Sequence, residues 1–263
     1  MSWIRIYIQL AGASLRSQMQ HKFNFLLSSF LVLLVFGLEF VTVSTVIYKF
    51  GGIKGWSVYE TGYMFAVMMF TRAFYRMLAG EVNGFEKYLV QGMLDQLLLR
   101  PMPVLLVLCT RNFRPMAGEL VLGATLAGIC LNHLMASGQV TLWAVPFTLA
   151  AIVSGTLITL SIGLTVATVG FWTHRIDDLQ RITDNAATTA SQYPLSIYPQ
   201  WMRIVLLTVI PMGFTSYIPS LYIIRGELGM WIIPATMTLA VVLLLGALRF
   251  WKHGIAHYQS TGT

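Results

Sequence analysis

The sequence predicts an all-α integral membrane protein with six transmembrane helices. Of its 263 residues, 56% are hydrophobic and only 10% are charged, whereas soluble domains contain about 25% charged residues. Several apolar runs are long enough to cross a bilayer, which takes about 20 residues. The two cysteines, Cys109 and Cys130, are isolated among apolar residues and have no metal-binding spacing.

The six spans are placed by hydropathy, helical periodicity and charge. They are predicted at 23–48, 59–80, 116–134, 142–172, 176–193 and 231–251. Glu39 lies inside the first span, where a carboxylate costs roughly 2.5–3.5 kcal/mol at the helix centre. The fourth span is longer than the hydrocarbon core at about 1.5 Å per residue, so it is expected to project into the cytoplasm.

The segment before the first span, 1–22, has the pattern of an amphipathic helix. Arg5 and Gln9 interrupt its apolar run, which excludes the continuous core of a cleaved signal peptide. One face carries Trp3, Ile4, Tyr7, Ile8, Ala11 and Leu15. The sequence therefore predicts a helix lying flat at the membrane interface.

Two interpretations fit the region 176–224. Hydropathy alone selects 202–224 as the fifth span, although Pro211 and Pro219 interrupt it, and 176–193 is then an amphipathic helix on the cytoplasmic surface. The alternative makes 176–193 the span, with its polar face on a water-filled path, while 202–224 enters and leaves the membrane as a broken hairpin. Both interpretations place Arg225 outside the cell.

A polar but periodic segment, 81–101, lies between the second and third spans. Apolar residues recur at helical spacing, Gly92 and Asp95 interrupt the pattern, and Arg100 precedes a proline. The apolar positions are Phe85, Tyr88, Leu89, Met93, Leu94, Leu97 and Leu98. The pattern predicts a short cytoplasmic amphipathic helix that binds a soluble partner protein.

The net charge of +7 comes from Lys and Arg residues that lie mostly at one side of the predicted spans. Thirteen Lys and Arg residues fall near the predicted inner boundaries, and four fall outside: Lys49, Lys54, Arg203 and Arg225. This distribution predicts that both termini are cytoplasmic. Basic residues spread over span ends do not indicate nucleic-acid binding.

The fourth span carries small residues at strict four-residue spacing: Ala151, Gly155, Thr159, Gly163 and Ala167. Such a stripe allows two helix backbones to approach closely. Helix packing within one chain and an interface between two chains both remain open.

Ionisable residues near the inner boundary are the other candidates for function. Arg72, Arg76, Arg111, Arg114 and Glu119 form either an inner vestibule or a set of headgroup contacts. Asp177, Asp178 and Asp184 would suit a magnesium–diphosphate site of an intramembrane transferase, but the sequence has only one Asp-rich motif, and Arg181 has ion-pair spacing to Asp177 and Asp184. The sequence has no GxxxxGK[ST] phosphate loop.

Four stretches carry a family resemblance. They are GGIKGWSVYETGYM at 51–64, VQGMLDQLLLRP at 90–101, FWTHR followed by YPLSIYPQWMR within 171–203, and IPMGFTSYIPSLYIIRGELG at 210–229. Their order and spacing resemble the permeases of ATP-binding-cassette exporters in the type-2 permease superfamily, most closely the viologen-exporter-like branch. The resemblance covers nearly the whole chain.

The resemblance implies an elbow helix at 1–22, a coupling helix within 81–101, a fifth span at 176–193 and extracellular re-entrant helices at 194–224. The residues that it assigns to contact with the ATPase are Phe85, Tyr88, Leu89, Gly92, Leu94, Asp95 and Arg100. The candidate translocation-path residues are Glu39, Arg181, Asp184, Asn185 and Thr188.

The resemblance also implies the partners. This chain is expected to be no enzyme and to bind no cofactor or metal, because ATP and magnesium belong to a dimer of ATP-binding subunits. A second permease, the same or homologous, and a bacterial inner membrane are expected. Export of a small amphipathic or cationic molecule is the predicted function. The alternatives are a proton-coupled secondary transporter using Glu39 or Asp184, and a membrane transferase.

Overall fold

The computed structural model describes residues 3–52, 54–173 and 175–258, and these ranges are nearly all helical and contain no strand. They form twelve α-helices: α1 Trp3–Met19, α2 Lys22–Lys49, α3 Val58–Ala79, α4 Glu86–Val90, α5 Met93–Leu98, α6 Val104–Arg111, α7 Ala117–Ala136, α8 Ala144–Thr173, α9 Asp177–Gln192, α10 Gln200–Ile204, α11 Tyr217–Arg225 and α12 Ile232–His257. Short 3-10 turns occur at Leu195–Ile197 and Met212–Phe214, and a π-helical turn, Val205–Val209, continues α10.

Four helices are long and apolar enough to cross a membrane: α2, α7, α8 and α12. A fifth candidate is the bent pair of segments Gln200–Val209 and Met212–Arg225, which meet at 79°. The prediction of an all-α membrane protein is therefore confirmed, and four or five candidate spans are observed where six were predicted.

The predicted second span, 59–80, forms helix α3, but α3 is not among the apolar candidates. Most of its residues are buried, because α7, α8 and α9 pack around it. Its polar side chains therefore meet protein instead of lipid. A capping box fixes its first turn: Ser57 Oγ accepts from Glu60 N at 3.2 Å, and Glu60 Oε2 accepts from Ser57 N at 2.8 Å.

Helix α8 lies at the centre of the packing, along α12 on one side and α3 on the other. Its most apolar stretch is 56% buried, whereas the corresponding stretches of α2 and α12 are 17% and 22% buried. The other three long apolar helices, α2, α7 and α12, thus lie around α3 and α8, and they leave broad apolar faces exposed for lipid or another membrane chain.

The small residues of α8 lie on an interface within the chain. A Cβ atom added to Gly155 would lie 2.7 Å from Thr215 O and 2.9 Å from Thr71 Oγ1, and one added to Gly163 would clash with the Tyr75 ring. Since Thr71 and Tyr75 belong to α3, the glycines let α8 and α3 approach closely.

Helix α9 has 16 residues, about 24 Å at 1.5 Å per residue, and it is neither long nor apolar enough to be counted as a candidate span. It packs against α3 and α8. Its buried side includes Gln180 and Thr183, whereas Leu179 and Ile182 are 42% and 62% exposed. The buried side of α9 thus includes polar residues, and its exposed side carries Leu179 and Ile182 together with Arg181 and Asn185.

Both ends of the bent pair lie beside the loop between α2 and α3. Before the pair, Ser196 O accepts from Lys54 Nζ at 2.6 Å. At its end, Arg225 Nη2 donates to Gly55 O at 2.6 Å. We call this end of the molecule, formed by the described residues of 50–57, 137–143 and 226–231, the loop end. The bent pair therefore begins and ends on one side of the helix bundle.

The segment 81–101 forms two short helices, α4 and α5, so the prediction of one continuous helix was wrong. Gly92 separates them with a φ of +64°, a left-handed conformation that glycine adopts without strain. Helix α6 follows α5, and the sequence did not predict it. We call the opposite end of the bundle, built on 81–116, the coupling end.

Candidate functional site

The segment 81–101 is anchored to the ends of two long helices. The ring of Phe85 lies 5.3 Å from the Phe171 ring of α8 and 5.0 Å from the Trp251 ring of α12, centroid to centroid. Phe171 and Trp251 also contact each other edge to face at 5.2 Å. Burial of this aromatic cluster holds the coupling end against α8 and α12.

Four of the predicted ATPase contacts are side chains of this internal core. Phe85, Tyr88, Leu89 and Leu94 are each at most 1% exposed. They anchor the segment and do not form its outer surface, so the prediction is corrected for these four side chains. Gly92 forms the left-handed turn that separates α4 from α5. Asp95 lies close to the hydroxyl of Tyr258 at the end of α12.

A different set of side chains faces outward. Leu99 is 87% exposed and Val90 58% exposed, although both lie beside the buried core. We call these residues and their exposed neighbours the coupling face, which consists of Lys87, Val90, Gln91, Gln96, Leu98, Leu99 and Arg100. Of the predicted contacts, Arg100 belongs to it. Helical periodicity identified the apolar residues of this segment. It did not show which of them are buried against the rest of the chain.

Glu81 holds the start of the segment and was missed by sequence reasoning. Its carboxylate accepts hydrogen bonds from Tyr88 Oη at 2.8 Å and Asn112 Nδ2 at 2.9 Å, and it pairs with Lys87. Burial alone would raise the pKa of Glu81, but these three donors outweigh it and lower the pKa. The carboxylate therefore stays charged near neutral pH.

Glu86 connects the coupling end to α9. Its Oε2 atom accepts hydrogen bonds from the backbone nitrogens of Ile176, at 2.5 Å, and Asp177, at 2.7 Å. Since no side chain within α9 caps its first turn, Glu86 satisfies amide groups that would otherwise lack partners. These bonds lower the pKa of Glu86. Gln180 adds a second contact, donating to Val82 O at 2.9 Å.

A small cavity lies between α3, α8 and α9. Its volume is about 40 Å³, enough for one or two water molecules. Its charged lining residues are Arg72, Arg76 and Asp184, and Arg72 Nη1 donates to Thr188 Oγ1 at 3.0 Å. On the far side of Arg72, the buried carboxylate of Glu119 lies 3.4 Å from its Nε atom and 3.5 Å from Arg76 Nη1.

The structure brings some of the predicted path residues together and separates others. Asp184 and Thr188 line the cavity, and Glu39 is half-buried on α2 within electrostatic reach of Arg72. Arg181 and Asn185 lie on the exposed side of α9, away from the cavity. The carboxylates near the cavity thus face arginines.

The structure gives no geometric support for a magnesium site at the aspartates of α9. Asp177 and Asp178 are exposed, whereas Asp184 faces the cavity. Within the described ranges, no three His, Cys, Asp or Glu side chains gather closely enough to hold a metal ion.

An apolar helical bundle with four or five candidate spans in its described residues defines the class of multi-pass membrane proteins. The family model described as ABC-2 family transporter protein matches residues 33–262, and the chain therefore belongs to the ABC-2 transporter family. Membership implies a membrane permease subunit that is not itself catalytic and normally works with an ATP-binding subunit. No curated protein matches the sequence significantly.

Proposed function

We propose that this chain is the permease subunit of an ATP-driven exporter of the viologen-exporter-like branch. It couples ATP hydrolysis by a separate subunit dimer to efflux of a small amphipathic or cationic molecule. The observation that carries the proposal is the coupling face: an exposed surface with apolar side chains, on a segment fastened to α8, α9 and α12. A protein bound there can move three helices together.

A six-span arrangement is part of this proposal. Helix α9 serves as the fifth span, since Leu179 and Ile182 are exposed on its outer side and Asp184 faces the cavity. The bent pair is re-entrant, because contacts from Lys54 to Ser196 and from Arg225 to Gly55 tie both of its ends to the loop end. A backbone break at membrane depth is tolerated where protein covers it.

The orientation and the elbow helix complete the arrangement. The coupling end is cytoplasmic and the loop end extracellular, in the inner membrane of a bacterium, with both termini inside. Helix α1 lies at the cytoplasmic interface as an elbow helix. Its Gln18 donates to Phe113 O at 2.9 Å, which fastens α1 to the coupling end.

A second permease subunit, identical or homologous, completes the translocation path. The internal cavity of about 40 Å³ is far smaller than the 300–1,000 Å³ pockets that hold drug-sized ligands. The cavity at Asp184 therefore does not hold such a molecule, and the proposed path runs between two chains and opens when ATP closes the partner dimer. The charged residues Arg72 and Asp184 would lie beside that path.

The test is co-expression of this chain with a candidate ATP-binding subunit, followed by co-purification. Leu99→Asp places a charge in the coupling face and should abolish co-purification and ATP-driven transport, because a carboxylate resists burial in an interface. Leu142→Asp is the matched control: Leu142 is 78% exposed at the loop end, so this variant should retain both. Transport by the isolated chain under a proton gradient alone would contradict the proposal.

A further inference from the structure

A second pocket, with a volume of about 550 Å³, is lined by the end of α1, the start of α2 and the start of α7. It is separate from the coupling face and shares Arg76 with the cavity at Asp184. Its polar lining comes mainly from Gln18, His21, Asn24, Ser28, Arg76 and Arg114. We propose that this pocket binds the phosphodiester headgroup of a phospholipid from the leaflet on the side of the coupling end, with preference for an anionic lipid.

The charge balance of this pocket favours an anion. Two guanidinium groups, of Arg76 and Arg114, line it against one carboxylate, of Glu119. That carboxylate is only 1% exposed and also lies within ion-pair distance of a third arginine, Arg72. The exposed groups that a ligand meets are therefore cationic or neutral. Arginine binds phosphate oxygens with two parallel hydrogen bonds.

The first turn of α7 also faces this pocket. Met116 and residues 117–119, which begin α7, form one wall, and no side chain caps this helix. The first amide groups of a helix favour an anion through their free hydrogens and the helix dipole. The arginines and the helix start thus act on the same ligand charge.

The walls are held in place, so the site is preformed. Gln18 Nε2 and Ser14 Oγ both donate to Phe113 O, at 2.9 and 3.3 Å, and join α1 to the segment before α7. Gly118 packs so closely on the backbone of Ser29 that any side chain there would clash. The pocket therefore keeps its shape without a ligand, which lowers the entropy cost of binding.

The position of the pocket selects a lipid over a soluble phosphate. Beyond its polar end, the lining continues along α2 through Phe25 and Val32. The outward side of α2 nearby is strongly apolar, with Leu26 64% and Phe30 58% exposed. A headgroup in the pocket would leave its acyl chains along this apolar surface. Basic pockets between helices at a membrane interface are a recurrent form of lipid recognition.

The test uses the full chain in mild detergent, with binding measured by native mass spectrometry and by thermal shift. Dioleoylphosphatidylglycerol should bind and raise the melting temperature. Arg114→Gln should weaken that affinity about tenfold, the factor that corresponds to about 1.4 kcal/mol. Ser28→Leu, which fills the pocket without changing charge, should weaken it as well. Arg249→Gln, at an exposed arginine on α12, should leave it unchanged.

Two results would overturn the proposal. One is equal affinity for phosphatidylglycerol in the original chain and in both pocket variants. The other is an equal thermal shift from inorganic phosphate at the same concentration, which would assign the pocket to a free phosphate ion. Unchanged gel-filtration profiles of the variants exclude misfolding as the cause of lost binding. None of these measurements needs the ATP-binding subunit, so the outcome is independent of the proposed transport function.

Discussion

The carboxylate of Glu86 accepts hydrogen bonds from the backbone nitrogens of Ile176 and Asp177, across 90 positions of sequence. It thereby joins α4, which borders the coupling face, to the first turn of α9, whose Asp184 lines the internal cavity. A displacement of the coupling face can reach the cavity through this contact.

Glu86→Ala should uncouple the proposed transporter. Without the carboxylate, the first amide groups of α9 lose their cap, so hydrogen exchange should quicken at 176–180. We expect ATPase activity of the complex to persist while transport falls about tenfold, in line with the loss of roughly 1–2 kcal/mol of capping energy. Asp178→Ala removes an exposed carboxylate one residue beyond this contact. This control variant should change neither hydrogen exchange at 176–180 nor transport. Normal transport in Glu86→Ala would refute the link.

The same contact predicts a dependence on pH. Hydrogen bonds from the backbone lower the pKa of Glu86, so its contribution is fully present above the ordinary glutamate pKa of about 4.3 and is lost as the pH falls through the lower folded value. Thermal unfolding of the original chain and Glu86→Gln should therefore differ at pH 7, and the difference should shrink as the pH falls below the ordinary glutamate pKa of about 4.3. A difference that is constant over this range would exclude the charge as its source.

Gly155→Ala should destabilise the chain. The added methyl would lie 2.7 Å from the backbone oxygen of Thr215 and 2.9 Å from Thr71 Oγ1, and overpacking of this kind costs about 1–3 kcal/mol. Gly246→Ala is the matched control on α12, because no atom lies within 4 Å of its added methyl. There we expect a gain of roughly 0.5–1 kcal/mol from the helix preference of alanine. In detergent, the melting temperature of Gly155→Ala should lie below that of the original chain, and that of Gly246→Ala should lie above it.

Arg72→Gln should be more damaging alone than together with Glu119→Gln. Removal of Arg72 leaves the buried Glu119 carboxylate with Arg76 as its remaining ion-pair partner, at 3.5 Å, and breaking a buried pair costs about 3–5 kcal/mol. Neutralising Glu119 as well removes the poorly compensated charge. The double variant should therefore recover part of the lost thermal stability. If the two losses simply add, the residues are not energetically coupled.

The sequence predicted the long apolar helices well, because a run of apolar residues has one stable position in a bilayer. It was less reliable where polar residues are covered by protein. Helix α3 was identified by its pattern, yet its Glu60 and Arg72 are stabilised by partners from α7, α9 and α11 that no local pattern reveals.

The candidate site was only partly predictable for a related reason. Periodicity located the segment 81–101, but it could not tell that Leu94 is buried while Leu99 is exposed, since this depends on where α8 and α12 end. Gly92 was noted as an interruption, and its positive φ divides the predicted helix in two. Glu86 carried no local signal, because the amides that it caps lie far along the chain.

The aromatic cluster at the coupling end gives this protein a built-in optical probe. Trp251 is 3% exposed and wedged between Phe85 and Phe171, so its indole emission should be blue, and it should shift to longer wavelength whenever the coupling end separates from α12. The difference spectrum between the original chain and Trp251→Phe isolates this signal from the other six tryptophans. Engagement of the ATP-binding subunit could then be followed in real time, without attaching a dye.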